Sequence, residues 1–303
     1  MRAILLRETG GPEQLELADV PDPEPRDGEV LVRVRAAGIN FLDLLVRKGQ
    51  YAQQPELPTI PGTEIAGEVE GRRVIALPEA GYAELVSVPE DSLVPLPDDA
   101  SFEEGASFLM TFLTAYIPLT RQVRLEPGAI VLVHAAAGGV GSAAVQLAKH
   151  MGARVVATAS SEEKREFALG LGADEAYSYE DFADHVRANV VLDPVGGDLV
   201  AQSLKVLEPL GAHVLIGYAG GFWEDLSPAL LVGRNLGLYG FYLGRLMRHR
   251  PELVQQATGD LIALWEQGAI RPIVGATFPL AQASEAHQLI EERKHVGKVV
   301  LVP

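Results

Sequence analysis

Residues 129–161 read AIVLVHAAAGGVGSAAVQLAKHMGARVVATASS, and no other stretch constrains the fold as tightly. Ile130 to Val133 form the apolar, β-branched run expected of a parallel strand covered on both faces. Gly138, Gly139, Val140 and Gly141 follow, then a helical pattern through VQLA and a second strand over 154–159. Glycines at such a turn let the backbone bend sharply and approach a pyrophosphate, while the helix behind them offers unpaired N–H groups to the phosphates. A glycine turn can also serve packing alone, but the correctly spaced strand, helix and strand favour a dinucleotide. One departure stands out: Ala136 occupies the place of the first glycine of G-x-G-x-x-G. After the second strand come Ser160 and Ser161, where an NAD site usually carries an acid for the ribose 2′-hydroxyl. An acid there would repel a 2′-phosphate, so its absence tilts the expected cofactor toward NADPH.

The segments around this unit place it in a larger plan. Residues 29–36, 65–70, 73–76 and 83–88 are short apolar or alternating runs punctuated by glycine and proline, which predicts an all-β module. Ser101 and Glu104 form a capping-box pattern opening a helix that carries Phe108, Phe112 and Tyr116. Strand and helix then alternate: the nucleotide unit, a helix over 162–171, a strand over 189–192, a helix over 197–207, and strands over 213–216 and 236–241. That rhythm predicts an α/β doubly wound parallel sheet. A helix over 251–267 and a closing strand over 298–302 follow.

The chain's 303 residues, 48% hydrophobic, suffice for two cores. No apolar run reaches the length of a membrane span and the start lacks a signal-peptide pattern, so a cytoplasmic location without membrane insertion is expected. A formal net charge of −16 argues against nucleic-acid partners and means that an anionic cofactor must be held by local cations and backbone amides. The absence of cysteine excludes disulfides, thiolate metal sites and cysteine nucleophiles.

Several motifs in fixed order carry a family resemblance over nearly the whole chain. They are GIN with Asp43, Arg47, Gly49 and Tyr51 behind it, PGTE at 61–64, GYAE at 81–84, AAAGGVG at 135–141 and GKVVL at 297–301. Together they resemble the quinone oxidoreductase (zeta-crystallin-like) branch of the medium-chain dehydrogenase/reductase superfamily. The resemblance implies a GroES-like β-rich catalytic domain (1–112 and 244–303) split around a Rossmann domain (113–243). It further implies NADPH in the cleft between them, a homodimer, and a small-molecule quinone or enone substrate. The stretch between Glu68 and Gly81 is shorter than is usual, so a trimmed loop is expected there. Asn40 and Thr63 stand where zinc alcohol dehydrogenases place a cysteine and a histidine, and neither is a usual zinc ligand. None of the seven histidines shows H-x-x-x-H spacing, so no metal is expected.

The same resemblance nominates site residues, each beside a plainer reading. Lys164 matches a lysine that binds the 2′-phosphate, or is a solvated helix lysine paired with Glu162 or Glu163. Tyr179 matches a tyrosine closing over the adenosine end, or is a half-buried aromatic. Asn40 and Tyr51 match residues lining the nicotinamide end, and Tyr51 also matches the proton donor of enoyl-thioester reductases. As plainer readings, Asn40 is a turn residue and Tyr51 a loop aromatic. Leu45 replaces a frequent second aromatic, implying a more open or aliphatic pocket. Thr114 matches a nicotinamide contact or serves packing. Gly217 and Gly220 allow close backbone approach or mark an ordinary turn. Lys298 matches a cation reaching the pyrophosphate, or is a surface strand cation. His134 reads as a satisfied structural histidine and Asp193 as a turn former. The expected reaction is hydride transfer to a quinone or enone, needing no metal, activated serine or paired carboxylates. The alternatives are an enoyl-thioester or alkenal reductase with Tyr51 as proton donor, and a non-catalytic NADPH-binding or RNA-binding crystallin-like protein.

Overall fold

A computed structural model describes residues 1–222, 226 and 228–303. Its strands are β1 (Arg2–Leu6), β2 (Leu15–Asp19), β3 (Glu29–Ile39), β4 (Ile65–Val69), β5 (Arg72–Ala76), β6 (Leu85–Pro89), β7 (Val94–Pro95), β8 (Ile130–Val133), β9 (Arg154–Thr158), β10 (Glu175–Tyr177), β11 (Ala188–Asp193), β12 (Leu207–Leu215), β13 (Gly237–Gly240), β14 (Val274–Pro279) and β15 (Lys298–Val302). Contacts divide the chain into two units, Met1–Met110 with Pro272–Pro303, and Thr111–Arg271.

The first unit is β-rich. Its main sheet runs β14-β15-β3-β4-β5-β7, with β6 also on β3 and β1 paired to β2. Along β3, Val32 and Val34 are buried while Arg33 and Arg35 are exposed, the period-two pattern of a strand with one face on a core. β4 and β5 are joined through Glu70 (φ 49°) and Gly71 (φ 81°), the left-handed pair that a two-residue hairpin needs. A turn this tight leaves the segment after Glu68 short.

The expected single helix from Ser101 through Tyr116 is in fact two, Phe102–Gly105 and Leu109–Ile117. The capping box is formed as expected, with Ser101 Oγ accepting from Glu104 N at 3.1 Å and Glu104 Oε2 accepting from Ser101 N at 2.9 Å. The helix breaks where Gly105 presses on the sheet: a Cβ there would lie within 2.9 Å of Ile75, Leu96 and Ala66. The next amides, Ser107 and Phe108, tighten onto carbonyls three residues back.

The second unit carries an all-parallel sheet of order β10-β9-β8-β11-β12-β13. The chain steps outward from β8 to β10, then returns to β11 beside β8, so strand order reverses between these two. Crevices that take ligands open at the carboxyl ends of such strands. β12 begins at Leu207, earlier than expected, and the helix before it is Leu199–Val206. Pro209 explains the difference, since it pushes Glu208 out of the helical region. The second unit runs on to Arg271, whereas the family resemblance implies a first domain that resumes at 244. Helix Pro251–Glu266 buries Ala257, Leu261 and Trp265 in it, and Tyr116 donates to Asp260 Oδ2 at 3.1 Å. Among the described residues, no helix is long and apolar enough to cross a membrane.

Candidate functional site

In the second unit the site grows from the end of β8. Ala135 adopts φ 49°, a left-handed conformation normally left to glycine, so the turn is made one residue before Ala136. Gly138 caps helix Gly139–His150 without any side-chain hydrogen bond. The first-turn N–H groups of Gly139, Val140 and Gly141, which have no intrahelical acceptor, therefore face an anion-binding position uncapped by any side chain. A Cβ on Gly141 would lie 2.1 Å from the Ala135 carbonyl oxygen, so the helix is seated directly on the turn. These features fit a pyrophosphate.

Toward β9, Ser160 and Ser161 are exposed and Ser161 Oγ accepts from Lys164 N at 3.3 Å, capping helix Glu162–Gly170. Lys164 and Arg165 are half-buried in the first turn of that helix. Tyr179 returns to the β8 end, its ring centroid 6.2 Å from that of His134. Thr114 is buried in helix Leu109–Ile117, and Gly217 follows β12.

Under these turns lies a buried polar layer. His134 Nδ1 and Nε2 are each 2.7 Å from a hydroxyl, those of Thr158 and Ser203. Burial lowers its pKa to about 4, so it is a satisfied neutral histidine, as the sequence suggests. Asp193 Oδ1 accepts from Val195 N (2.8 Å) and Gly196 N (2.9 Å), which makes it the expected turn former. Its Oδ2 faces His213 Nε2 at 3.0 Å. Burial pushes the Asp193 carboxyl upward, but the hydrogen bonds from His213 and the Gly196 amide outweigh it and leave the pKa lowered.

In the first unit Asn40 is the hub of a second buried network. Its backbone N–H donates to Asp43 Oδ2 (2.8 Å), and its Nδ2 lies 3.3 Å from both Thr63 Oγ1 and Glu64 Oε2. Its Oδ1 accepts from Lys298 Nζ at 2.7 Å. Lys298 is only 5% exposed and also donates to Ile39 O (2.8 Å) and Glu64 Oε2 (3.0 Å). All three of its ammonium hydrogens are thereby used. The plainer reading of Lys298 as a surface cation is therefore corrected to a buried one, and the pyrophosphate contact that the resemblance implies would have to compete with its bonds to Ile39, Asn40 and Glu64.

Asp43, in the motif that opens at Gly38, completes this network. Fully buried, it accepts from Thr63 Oγ1 (3.1 Å) and Tyr82 OH (3.0 Å) as well as from Asn40. Burial raises its pKa to about 6 against those donors. Tyr82 OH is 3.2 Å from His287 Nε2, and burial lowers His287 to about 3. Tyr51 is half-buried and packs on the first unit's core; Leu45 is buried. Glu64 and Tyr82 lay within motifs quoted above, whereas His213 and His287 carry no local signal at all.

Two family models match this chain: "Alcohol dehydrogenase GroES-like domain" over residues 26–74 and "Zinc-binding dehydrogenase" over residues 139–259. A mouse quinone oxidoreductase is 32% identical over 328 residues, covering 100% of this chain and 98% of its own. A human synaptic vesicle membrane protein VAT-1 homolog-like is 34% identical over 340 residues, covering 99% of this chain and 80% of its own. Among solved structures, the Thermus thermophilus quinone oxidoreductase, also studied in complex with NADPH, is 44% identical with a TM-score of 0.93 and full coverage of both chains (100%). The Escherichia coli quinone oxidoreductase complexed with NADPH is 30% identical with a TM-score of 0.92, again over 100% of both. Motifs, two-unit architecture and full-length similarity agree, and this chain belongs to the quinone oxidoreductase branch of the medium-chain dehydrogenase/reductase superfamily.

Proposed function

We propose that the chain is a zinc-independent NADPH:quinone oxidoreductase. The observation that carries the cofactor choice is the end of β9, where exposed Ser160 and Ser161 replace an acid and the turn behind them holds Lys164 and Arg165. Once bound, the reduced nicotinamide supplies the hydride. The chain's own groups hold and orient: first-turn amides of Gly139, Val140 and Gly141 take the pyrophosphate, Lys164 with Ser160 and Ser161 the 2′-phosphate, and Tyr179 the adenosine end. Thr114 and Gly217 serve the nicotinamide end. Asn40, fixed by its bonds to Thr63, Glu64 and Lys298, and Tyr51 line the acceptor's end of the site, and the acceptor oxygen takes its proton from water. Zinc independence is supported by donor chemistry, because Asn40 and Thr63 are bonded to one another and to the carboxylates of Glu64 and Asp43.

Titrating the protein with NADPH and NADH tests this reading. NADPH is expected to bind more tightly, and Lys164→Ala to weaken NADPH alone by about 1.5–3 kcal/mol, the scale of a lost charge-assisted bond. Equal affinities for the two reduced cofactors would defeat it.

Tyr51→Phe separates quinone reduction from the rival reduction of enoyl thioesters. A hydroquinone oxygen exchanges protons with water, so turnover with a quinone is expected to change little. Delivery of a proton to carbon would instead need the hydroxyl, and its loss would lower turnover roughly 100-fold. A large fall with quinones at unchanged cofactor affinity moves the assignment to the alkene reductase.

A homodimer is expected through the edge strand β13, which among the described residues pairs only with β12 and carries Tyr239, 39% exposed. An unprotected parallel-sheet edge of this kind is a template for a second copy. Light scattering at micromolar concentration checks it, a monomer mass being the contrary result.

A further inference from the structure

The polar layer at the carboxyl edge of the parallel sheet contains a pair that the reading above does not use. Asp193 and His213 are both 0% exposed. The register sets Val191 beside His213 and Asp193 beside Leu215, so the two side chains are diagonal neighbours on one face. Among the described residues, His213 Nδ1 has no hydrogen-bond partner. A carboxylate oxygen only accepts, so it is the Nε2–H of His213 that donates to Asp193 Oδ2 at 3.0 Å.

With Oδ2 held, Oδ1 is aimed at the amides of Val195 and Gly196 and fixes the 194–197 turn. That turn is joined to the one after β12 by Ala219 N–H to Pro194 O (3.2 Å) and Gly220 N–H to Val195 O (2.7 Å). The fit is close: a Cβ on Gly196, whose φ is 69°, would lie 3.1 Å from the carbonyl oxygens of Gly217 and Gly221. The two turns form one backbone plate at the ends of β11 and β12.

β9 lies on one side of β8 and β11 on the other. A dinucleotide with its pyrophosphate on helix Gly139–His150 and its 2′-phosphate at the end of β9 therefore runs its other half toward this plate. We propose that His213 is a positioning residue for the nicotinamide half of the cofactor: by fixing Asp193 it fixes the plate. The proposal depends on the NADPH reading above.

The parent, His213→Leu and His213→Gln are titrated with NADPH and with adenosine 2′,5′-bisphosphate, which carries the adenine half alone. Leucine fills the space without a donor, whereas the glutamine amide places an N–H near the lost Nε2–H. His213→Leu is expected to weaken NADPH about ten-fold and leave the bisphosphate within about two-fold, as for one lost buried hydrogen bond felt at one end of the ligand. Its KM for NADPH rises more than its kcat falls, and His213→Gln restores most of the affinity. Equal weakening of both ligands, or unchanged NADPH affinity in His213→Leu, overturns the proposal. Should His213→Leu not fold, His213→Asn takes its place, being too short to reach Asp193, and equal NADPH affinities in the Asn and Gln variants overturn it. A parent that binds the bisphosphate and not NADPH overturns it as well, and one that binds neither sinks the cofactor reading itself.

Discussion

Lys298→Met is expected to destabilise the first unit by about 3–5 kcal/mol, the range for stranding one partner of a buried ion pair. The loss has three parts: Glu64, 0% exposed, keeps a carboxylate with no cation, and Asn40 Oδ1 and Ile39 O each lose a donor. What remains on Glu64 is the Met110 amide at 2.9 Å and the Asn40 amide at 3.3 Å, too little to offset a buried charge. Thermal or urea unfolding reads the effect, and NADPH affinity of the folded variant reads its alternative. If Lys298 serves the pyrophosphate, as the family resemblance implies, the variant keeps its melting temperature and loses cofactor affinity instead. That pattern would contradict the buried role.

Gly141→Ala is expected to abolish measurable dinucleotide binding while lowering stability. Helix propensity alone favours alanine here by about 1 kcal/mol. Against that gain, the new Cβ would lie 2.1 Å from Ala135 O and 2.7 Å from Ala136 Cα, both backbone atoms that no rotamer change can move. Overpacking of this kind costs roughly 1–3 kcal/mol or more and is relieved only by lifting the helix off the turn, which misaims its first N–H groups. On Gly138 a Cβ meets a single protein atom, Ala135 O, at 3.3 Å, so Gly138→Ala is expected to leave the helix seated on the turn and to keep its stability. Titration calorimetry with NADPH checks the Gly141 variant, thermal unfolding checks both, and normal binding by Gly141→Ala would show that the amides are not the anchor.

The parallel sheet was legible because its strands are apolar runs broken by glycine and proline, and because Gly138 to Gly141 marks one turn unambiguously. The register of β3, with Val32 and Val34 inward, could likewise be anticipated from alternation. Other features depend on distant pairings. The helix after Ser101 carries unbroken helical spacing, and only the sheet beneath Gly105 ends it. Lys298 reads as an exposed strand cation until Glu64 and Asn40 meet it from other strands. Asp43, Tyr82 and His287 are far apart in sequence and take their shifted pKa values first from burial, with Asp43 also raising Tyr82 and Arg47 also lowering His287. Ala135 is the one site at the glycine turn where the rule misleads: the left-handed residue there is an alanine one position ahead of the missing glycine.

The central claim is that this chain passes a hydride from NADPH to a quinone, against the rival readings of an enoyl-thioester reductase and of an NADPH-binding protein without turnover. Parallel NADPH-oxidation assays with a quinone, with an enoyl thioester and with no acceptor decide among the readings. The account predicts oxidation that depends on the quinone and survives exhaustive chelation. NADPH consumed only with the enoyl thioester, or bound tightly and consumed with neither acceptor, would contradict it.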